Sequence, residues 1–336
     1  MSEREEFAGR LQRAVARLIG PPGTIGELRR LTGGATKSTW AFTADVGGRN
    51  LPLVMQLSSR RATAAGEPLA ELPRVTGKDD AALMQAAARA GVPTPPIRAV
   101  LTDQFERGGY IMDFVPGETI ARRLLREPAH APLRADFAAQ CGAILGRIHA
   151  IDRAAAPFLV PFGAAAQVDL YRRVFQSYDH PVPALDLGFR WAADHVPAAR
   201  RMSVVHGDFR MGNLICGPER IAAAIDWEVS HLGDPMEDLG WLCVKTWRFG
   251  GKSPVGGIGR REDLFAAYER ATGIAVVPAD VRFWEVFGSV KWAVMCLMKG
   301  QAHHRDGGER SVEQHAIGRR MEEPIHDFLQ LLAGED

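Results

Sequence analysis

The sequence predicts an α/β (α+β) chain in two lobes, a small antiparallel sheet followed by a larger, mainly helical part. Three observations carry this expectation. The chain has 336 residues, more than a common single domain and enough for one two-lobed unit. Before residue 117, short apolar runs alternate with turn residues in the manner of strands. Beyond that point apolar residues recur at helical spacing.

Taken in order, Phe7, Leu11, Ala14, Val15 and Leu18 form one helical stripe that ends at Gly20-Pro21-Pro22-Gly23. Strands are expected over Glu27 to Leu31, Ser38 to Asp45 and Leu51 to Ser58, the last two joined at Val46-Gly47-Gly48-Arg49. The Ala-rich stretch from Asp79 to Ala90 reads as a helix stopped by Gly91-Val92-Pro93. Two further strands, Ile97 to Leu101 and Tyr110 to Val115, complete a five-stranded lobe. Pro116-Gly117 then breaks the chain, giving lobes of residues 1–115 and 116–336. In the second lobe Phe137, Cys141, Ile144, Leu145 and Ile148 mark a helix over Leu133 to Ala150. Short strands are expected at Ser203 to Val205, Leu214 to Cys216 and Ile221 to Ile225, and helices at 261–271, 279–300 and 311–332.

Composition narrows the function classes. Apolar residues make up 46% and charged residues 24%, which excludes a disordered chain, a collagen-like fibre and a coiled coil. A net charge of +1, from 41 Lys and Arg against 40 Asp and Glu, supplies no global field for nucleic acid or an anionic membrane. No run approaches the roughly 18 apolar residues of a membrane span. The N-terminus lacks the apolar core of a secretory signal, and Cys141, Cys216, Cys243 and Cys296 are scattered without metal-site spacing. The expected location is the cytoplasm, with reduced thiols.

The unusual polar residues gather in Val204-Val205-His206-Gly207-Asp208-Phe209-Arg210-Met211-Gly212-Asn213 and in Ile225-Asp226-Trp227-Glu228. Each of these two segments follows a strand-like run and delivers acids or amides onto a turn. Phosphoryl transfer calls for this set: a carboxylate to orient or deprotonate a hydroxyl, and an amide plus a second carboxylate to hold Mg²⁺ on the phosphates.

The H-G-D-x-x-x-x-N and I-D-W patterns, with Gly233-Asp234-Pro235-Met236-Glu237-Asp238-Leu239 downstream, resemble the aminoglycoside phosphotransferase family of the protein-kinase-like fold. The D-W-E and G-D-P-x-x-D-L wording is more similar to the branch that includes kinase domains linked to acyl-CoA dehydrogenases. The resemblance implies a bilobal small-molecule kinase in which Asp208 is the catalytic base, Asn213 and Asp226 are Mg²⁺ ligands and His206 is a scaffold residue. ATP is the implied phosphoryl donor, with GTP left open, and the partner is a small hydroxylated substrate. Asp234 and Asp238 are expected to hold the loop through backbone N–H groups. Glu228 and Arg210 remain open between metal, substrate and a mutual ion pair.

The first lobe carries weaker signals. Gly33, Gly34, Ala35, Thr36, Lys37 and Ser38, between two strands, resemble the family's nucleotide-binding loop, whose small residues let backbone N–H groups approach phosphate. Met112, Asp113, Phe114 and Val115 resemble the hinge, where backbone groups would meet an adenine edge. The chain departs from the family pattern at Gln56, which stands where a strand cation pairs the α/β-phosphates, and at Asp80, which stands for the helix Glu. The cation could then come from Lys37, Lys78, Arg60 or Arg61. Gln56 also motivates a rival reading, a catalytically silent nucleotide-binding module. A third reading is a metal hydrolase built on His206 and Asp208. Trp241, Trp247, Trp284 and Trp292 are expected to be mostly core, with one or two walling an acceptor site.

Overall fold

The computed structural model describes residues 3–31, 37–58, 68–106, 108–198, 201–306 and 312–335. The first lobe is a five-stranded antiparallel sheet. Its strands are β1 (Pro22–Leu31), β2 (Lys37–Val46), β3 (Arg49–Ser58), β4 (Ile97–Leu101) and β5 (Gly109–Asp113), in the order β1-β2-β3-β5-β4. Gly47 and Gly48 take positive φ of 58° and 76°, which a two-residue turn between right-twisted strands requires, and the β2/β3 register follows without a shift.

Alternation along the strands sends side chains to two different layers. Phe42, Leu53, Met55 and Ile111 pack against Leu11, Ala14 and Val15 of α1 (Glu3–Leu18). Ala41, Val54, Tyr110 and Met112 point the other way, toward Leu83, Met84 and Ala87 of α2 (Gly77–Arg89). The apolar stripe read in residues 7–18 is therefore the face α1 buries.

The second lobe contains α3 (Ala121–Arg126), α4 (Ala131–His149), α5 (Ala164–Gln176) and α6 (Pro183–Asp194). Two short hairpin-like pairs follow, β7 (Leu214–Cys216) with β8 (Ile221–Ala224), and β6 (Ser203–Val205) with β9 (His231–Gly233). Then come α7 (Met236–Cys243), α8 (Arg261–Thr272), α9 (Pro278–Asp306), α10 (Val312–Gly318) and α11 (Glu322–Leu332). The core of this lobe runs along α9, where Trp284, Phe287, Val290 and Val294 are buried.

The structure departs from expectation at three places. The helix expected at 311–332 is broken into α10 and α11 by a turn over residues 319–321, just after Gly318, which packs against Gly300 of α9 so closely that a Cβ would come 2.3 Å from Gly300 Cα. The strand β9 was not anticipated, since three residues carry too little pattern to read. The strand expected to reach Val115 stops at Asp113, where the Phe114 N–H turns to Pro52 O at 3.0 Å. Two main-chain bonds tie the lobes behind the cleft, Val75 N–H to Glu228 O and Ala224 N–H to Pro93 O, both 2.8 Å. All four cysteines are buried free thiols. No helix among the described residues is long and apolar enough to cross a membrane.

Candidate active site

The loop after β6 is held from below. Asp238, buried on α7, accepts the His206 N–H at 2.8 Å and the Gly207 N–H at 2.9 Å, and meets His149 Nε2 at 3.1 Å. Burial pushes its carboxyl up, but His149 and the loop amides outweigh this and hold it below the usual range. Asp234, expected to do the same, does not touch the loop: it accepts the Met236 N–H at 3.0 Å and Trp284 Nε1 at 2.8 Å. His206 is fully buried against Phe209 and Trp227, and burial holds its imidazole below the ordinary value. A ring facing the core in this way does not serve the hydrolase reading.

With its base fixed, the loop turns Asp208 toward the cleft. Asp208 Oδ1 accepts Arg210 Nε and Trp241 Nε1, each at 2.9 Å, and Oδ2 accepts Asn213 Nδ2 at 2.6 Å. The same Nδ2 donates to Asp208 O at 2.9 Å. The Ile225 N–H bonds Asn213 O at 2.9 Å, which sets Asp226 beside Asn213 across the β7/β8 pair. Asp226 adopts the left-handed region at φ 68°, a conformation Asp accepts more readily than most residues, and its side chain is 35% exposed. Asp208, Asn213 and Asp226 are thus brought together as their spacing suggested.

Among the described residues no group of three or more His, Cys, Asp or Glu is placed to hold a metal. A site of one carboxylate, Asp226, and one amide oxygen, Asn213, fits Mg²⁺, which is commonly held by one or two protein ligands and completed by phosphate oxygens and water. The Asn213 bonds to Asp208 all run through Nδ2, so its oxygen is the remaining donor atom of the pair.

On the sheet side, Lys37 Nζ lies 2.9 Å from Asp80 Oδ2 and 3.2 Å from Asp226 Oδ1. Burial opposes its charge, but Asp80 and Asp226 outweigh that and raise the ammonium above the usual lysine value. Tyr110 Oη bonds Asp80 Oδ2 at 3.0 Å and also touches the Gln56 side-chain amide. Burial, then Asp80, push the phenol well above its ordinary value, so it stays protonated. Ser38 Oγ accepts Trp40 Nε1 at 3.1 Å. Gly33, Gly34, Ala35 and Thr36, with Arg60 and Arg61, lie outside the described residues. Lys78 is exposed at the start of α2.

In the hinge segment the Asp113 N–H already bonds Pro96 O at 2.9 Å, and its carboxylate grips Arg98 through two bonds of 2.6 and 2.7 Å. Of the two residues whose roles the sequence left open, Arg210 binds Asp208 Oδ1 at 2.9 Å, and Glu228 lies 3.9 Å from Arg74.

Sequence reasoning missed the layer beneath Asp208. Trp241, Trp247 and Trp292 form a ring cluster with centroids 5.2 and 4.8 Å apart, and the Arg210 guanidinium lies 4.7 Å over the Trp247 ring. Trp241, Trp247 and Trp284 are buried, Trp284 within the main core, and Trp292 packs against both clusters. Behind Trp241, Lys291 bonds Gln167 Oε1 at 2.9 Å and Glu237 Oε1 at 3.3 Å, and Glu237 Oε2 meets His231 Nε2 at 3.1 Å. The only sequence signal for this cluster was a lysine in an apolar helix.

A small antiparallel lobe above a helical one, with the acid, amide and acid converging at the cleft, defines a protein-kinase-like phosphotransferase. The chain belongs to the phosphotransferase enzyme family, whose model matches residues 27–284. Among curated proteins, it is 33% identical over 173 residues to acyl-CoA dehydrogenase family member 10 of Mus musculus, covering 48% of this chain. It is 28% identical over 139 residues to family member 11 of Homo sapiens, covering 38% of this chain. These matches span 16% and 18% of the two relatives' own length.

Among solved structures, a putative aminoglycoside phosphotransferase from Ralstonia eutropha superposes with a TM-score of 0.73 at 22% identity, covering 98% of both chains. A choline/ethanolamine kinase family protein from Mesorhizobium loti gives 0.61 at 21% identity, again over 98% of both. A spectinomycin phosphotransferase bound to ADP and spectinomycin gives 0.61 at 12% identity, covering 96% of this chain and 98% of that one. At these identities the likeness speaks to fold alone.

Proposed function

We propose that this phosphotransferase moves the γ-phosphoryl group of ATP to the hydroxyl of a small molecule. The observation that carries the reading is the Asp208–Asn213 bond of 2.6 Å beside Asp226, at the mouth of the cleft between lobes divided near residues 115 and 116. Asp208 orients the acceptor hydroxyl and takes its proton as the oxygen attacks the γ-phosphorus. The bond from that phosphorus to the β–γ bridging oxygen breaks, and ADP departs with the electron pair. Asn213 and Asp226 would hold Mg²⁺, which supplies charge neutralisation on the phosphates.

Asp238 keeps the His206 and Gly207 amides fixed, so Asp208 needs little reorganisation to reach its working position. In this reading Lys37 and Ser38, at the start of β2, and the small residues Gly33 to Thr36 that precede them in sequence approach the phosphates. At the hinge, Met112 to Val115, the Asp113 and Phe114 amides are spent within the protein, so an adenine contact by N–H falls to Val115. The Trp241, Trp247 and Trp292 wall suits an acceptor with an apolar or aromatic part rather than a polycationic sugar.

The test is Mg²⁺-dependent transfer of labelled γ-phosphate from ATP, with GTP in parallel, to a panel of hydroxylated small molecules. Transfer by the native chain and its loss in Asp208→Ala supports the assignment. Nucleotide binding without transfer to any acceptor or to water favours the silent module.

A further inference from the structure

We infer that Lys37, from strand β2, is the cation that pairs with the nucleotide phosphates, in place of the strand β3 position that Gln56 leaves neutral. The inference rests on the nucleotide-binding reading above and says which residue of this chain carries it.

Strand alternation supplies the first step. Ala41 of β2, Val54 of β3 and Tyr110 of β5 face α2, so Lys37, Thr39 and Gln56, each an even number of residues along the same strands, share that face. Thr39 pairs directly with Gln56, which makes Lys37 a diagonal neighbour of Gln56. Diagonal positions lie about 7–8 Å apart at Cα, within the span of a lysine side chain. A lysine at either position can therefore bring its ammonium to one point below the sheet.

The second step is the anchor. A phosphate-pairing lysine is positioned by an acid from the neighbouring helix. Asp80 of α2 fills that role for Lys37 at 2.9 Å, and Asp80 is only 1% exposed, so its geometry is set by packing. The Tyr110 hydroxyl braces Asp80 Oδ2 at 3.0 Å, and Gln56 contacts that hydroxyl rather than the acid itself.

Third, the ammonium faces the correct side. Its other contact is Asp226 Oδ1 at 3.2 Å, the carboxylate assigned to the metal, so the charge lies between the sheet and the place where the phosphates must be neutralised. The competing Lys78 sits on the exposed start of α2. In this chain the charge comes from one strand across the sheet and reaches the same point below it.

The test compares Mg·ADP binding by calorimetry in the native chain, Lys37→Ala and Lys37→Ala/Gln56→Lys, with adenosine as a phosphate-free probe followed by ligand-observed NMR. Loss of one charge-assisted contact predicts about tenfold or more weaker Mg·ADP binding in Lys37→Ala, with adenosine unchanged. The double variant should recover most of the loss. If Lys37→Ala does not fold, Lys37→Met/Asp80→Asn removes both buried charges together and carries the same expectation. Native Mg·ADP affinity in the Lys37 variant, or equal loss for ADP and adenosine, would show a merely structural ion pair and overturn the inference. Absence of nucleotide binding by the native chain would instead remove the reading beneath it.

Discussion

Trp241 donates its indole N–H to Asp208 Oδ1 at 2.9 Å, so the carboxylate at the cleft is positioned by α7 as well as by its own loop. This bond separates two effects of mutation. Asp208→Asn keeps an acceptor for the indole but removes the base, and kcat should fall by about a hundredfold or more. Trp241→Phe keeps the ring and loses only the donor; kcat should drop by about tenfold at an unchanged KM for Mg·ATP. Steady-state kinetics on both variants checks this, and a Trp241→Phe effect confined to KM would sink the positioning role.

The glycine of the H-G-D motif has a structural reason. Gly207 sits at φ +79°, and a Cβ there would come 2.8 Å from Val229 O, which is backbone and cannot swing aside. Gly207→Ala therefore combines left-handed strain with a main-chain collision, for an expected loss of about 1–3 kcal/mol. Because the Gly207 N–H also bonds Asp238, the displacement is passed to Asp208. Chemical denaturation and turnover should both register the change; a stable variant of native activity would contradict it.

A pH effect comes from His231. Burial opposes its charge, yet Glu237 outweighs burial and raises the imidazole above 6.5. A raised folded pKa contributes stability that is complete below the unfolded value and is lost as pH rises through the folded one. His206, lowered by burial, contributes the opposite slope, so the native melting curve alone mixes the two. The informative quantity is the difference in Tm between the native chain and His231→Gln. It should be greatest below about pH 6.5, the ordinary imidazole value, and shrink as pH rises above it through the raised folded value. A difference that grows with pH would reverse the sign of the assignment.

Legibility in the sequence followed the range of the interaction. Asp208, Asn213 and Asp226 could be read because a short loop and one strand pair fix their spacing, and the sheet because Gly47-Gly48 and strand alternation are local signals. Lys37 stood among four candidate cations, since choosing it needs the β2/β3 register and the approach of α2 at once. Asp234 and Asp238 looked alike in one motif; only the burial of the α7 face distinguishes the acid that holds the loop from the one that caps the helix. Trp241 was counted as core or wall because nothing in its neighbours says that its N–H meets Asp208. The Lys291, Gln167 and Glu237 cluster joins residues far apart in sequence, on α9, α5 and α7, and leaves almost no local trace.

Glu285 is a buried charge that serves no proposed chemistry. Glu285, 1% exposed on α9, meets Arg248 Nη2 and Arg261 Nη2 at 2.9 Å, with Arg282 at 3.7 Å. Burial raises its carboxyl despite these arginines, which means desolvation consumes much of the Coulombic gain. Arg261 and Arg282 are partly exposed and can turn to water, whereas Arg248 is only 6% exposed. Glu285→Ala removes the carboxylate that neutralises the buried Arg248 guanidinium, which keeps only neutral partners such as Cys243 O at 3.2 Å among those described, and should cost about 3–5 kcal/mol in urea denaturation. Arg248→Met/Glu285→Leu removes the buried pair together, keeps apolar volume, and should cost far less. The exposed pair Arg320–Glu323, at 2.6 Å, provides the contrast: despite its short distance, Glu323→Ala should change stability by no more than about 1 kcal/mol. Should Glu285→Ala prove as mild as Glu323→Ala, water must reach Arg248, and the burial argument for this cluster fails.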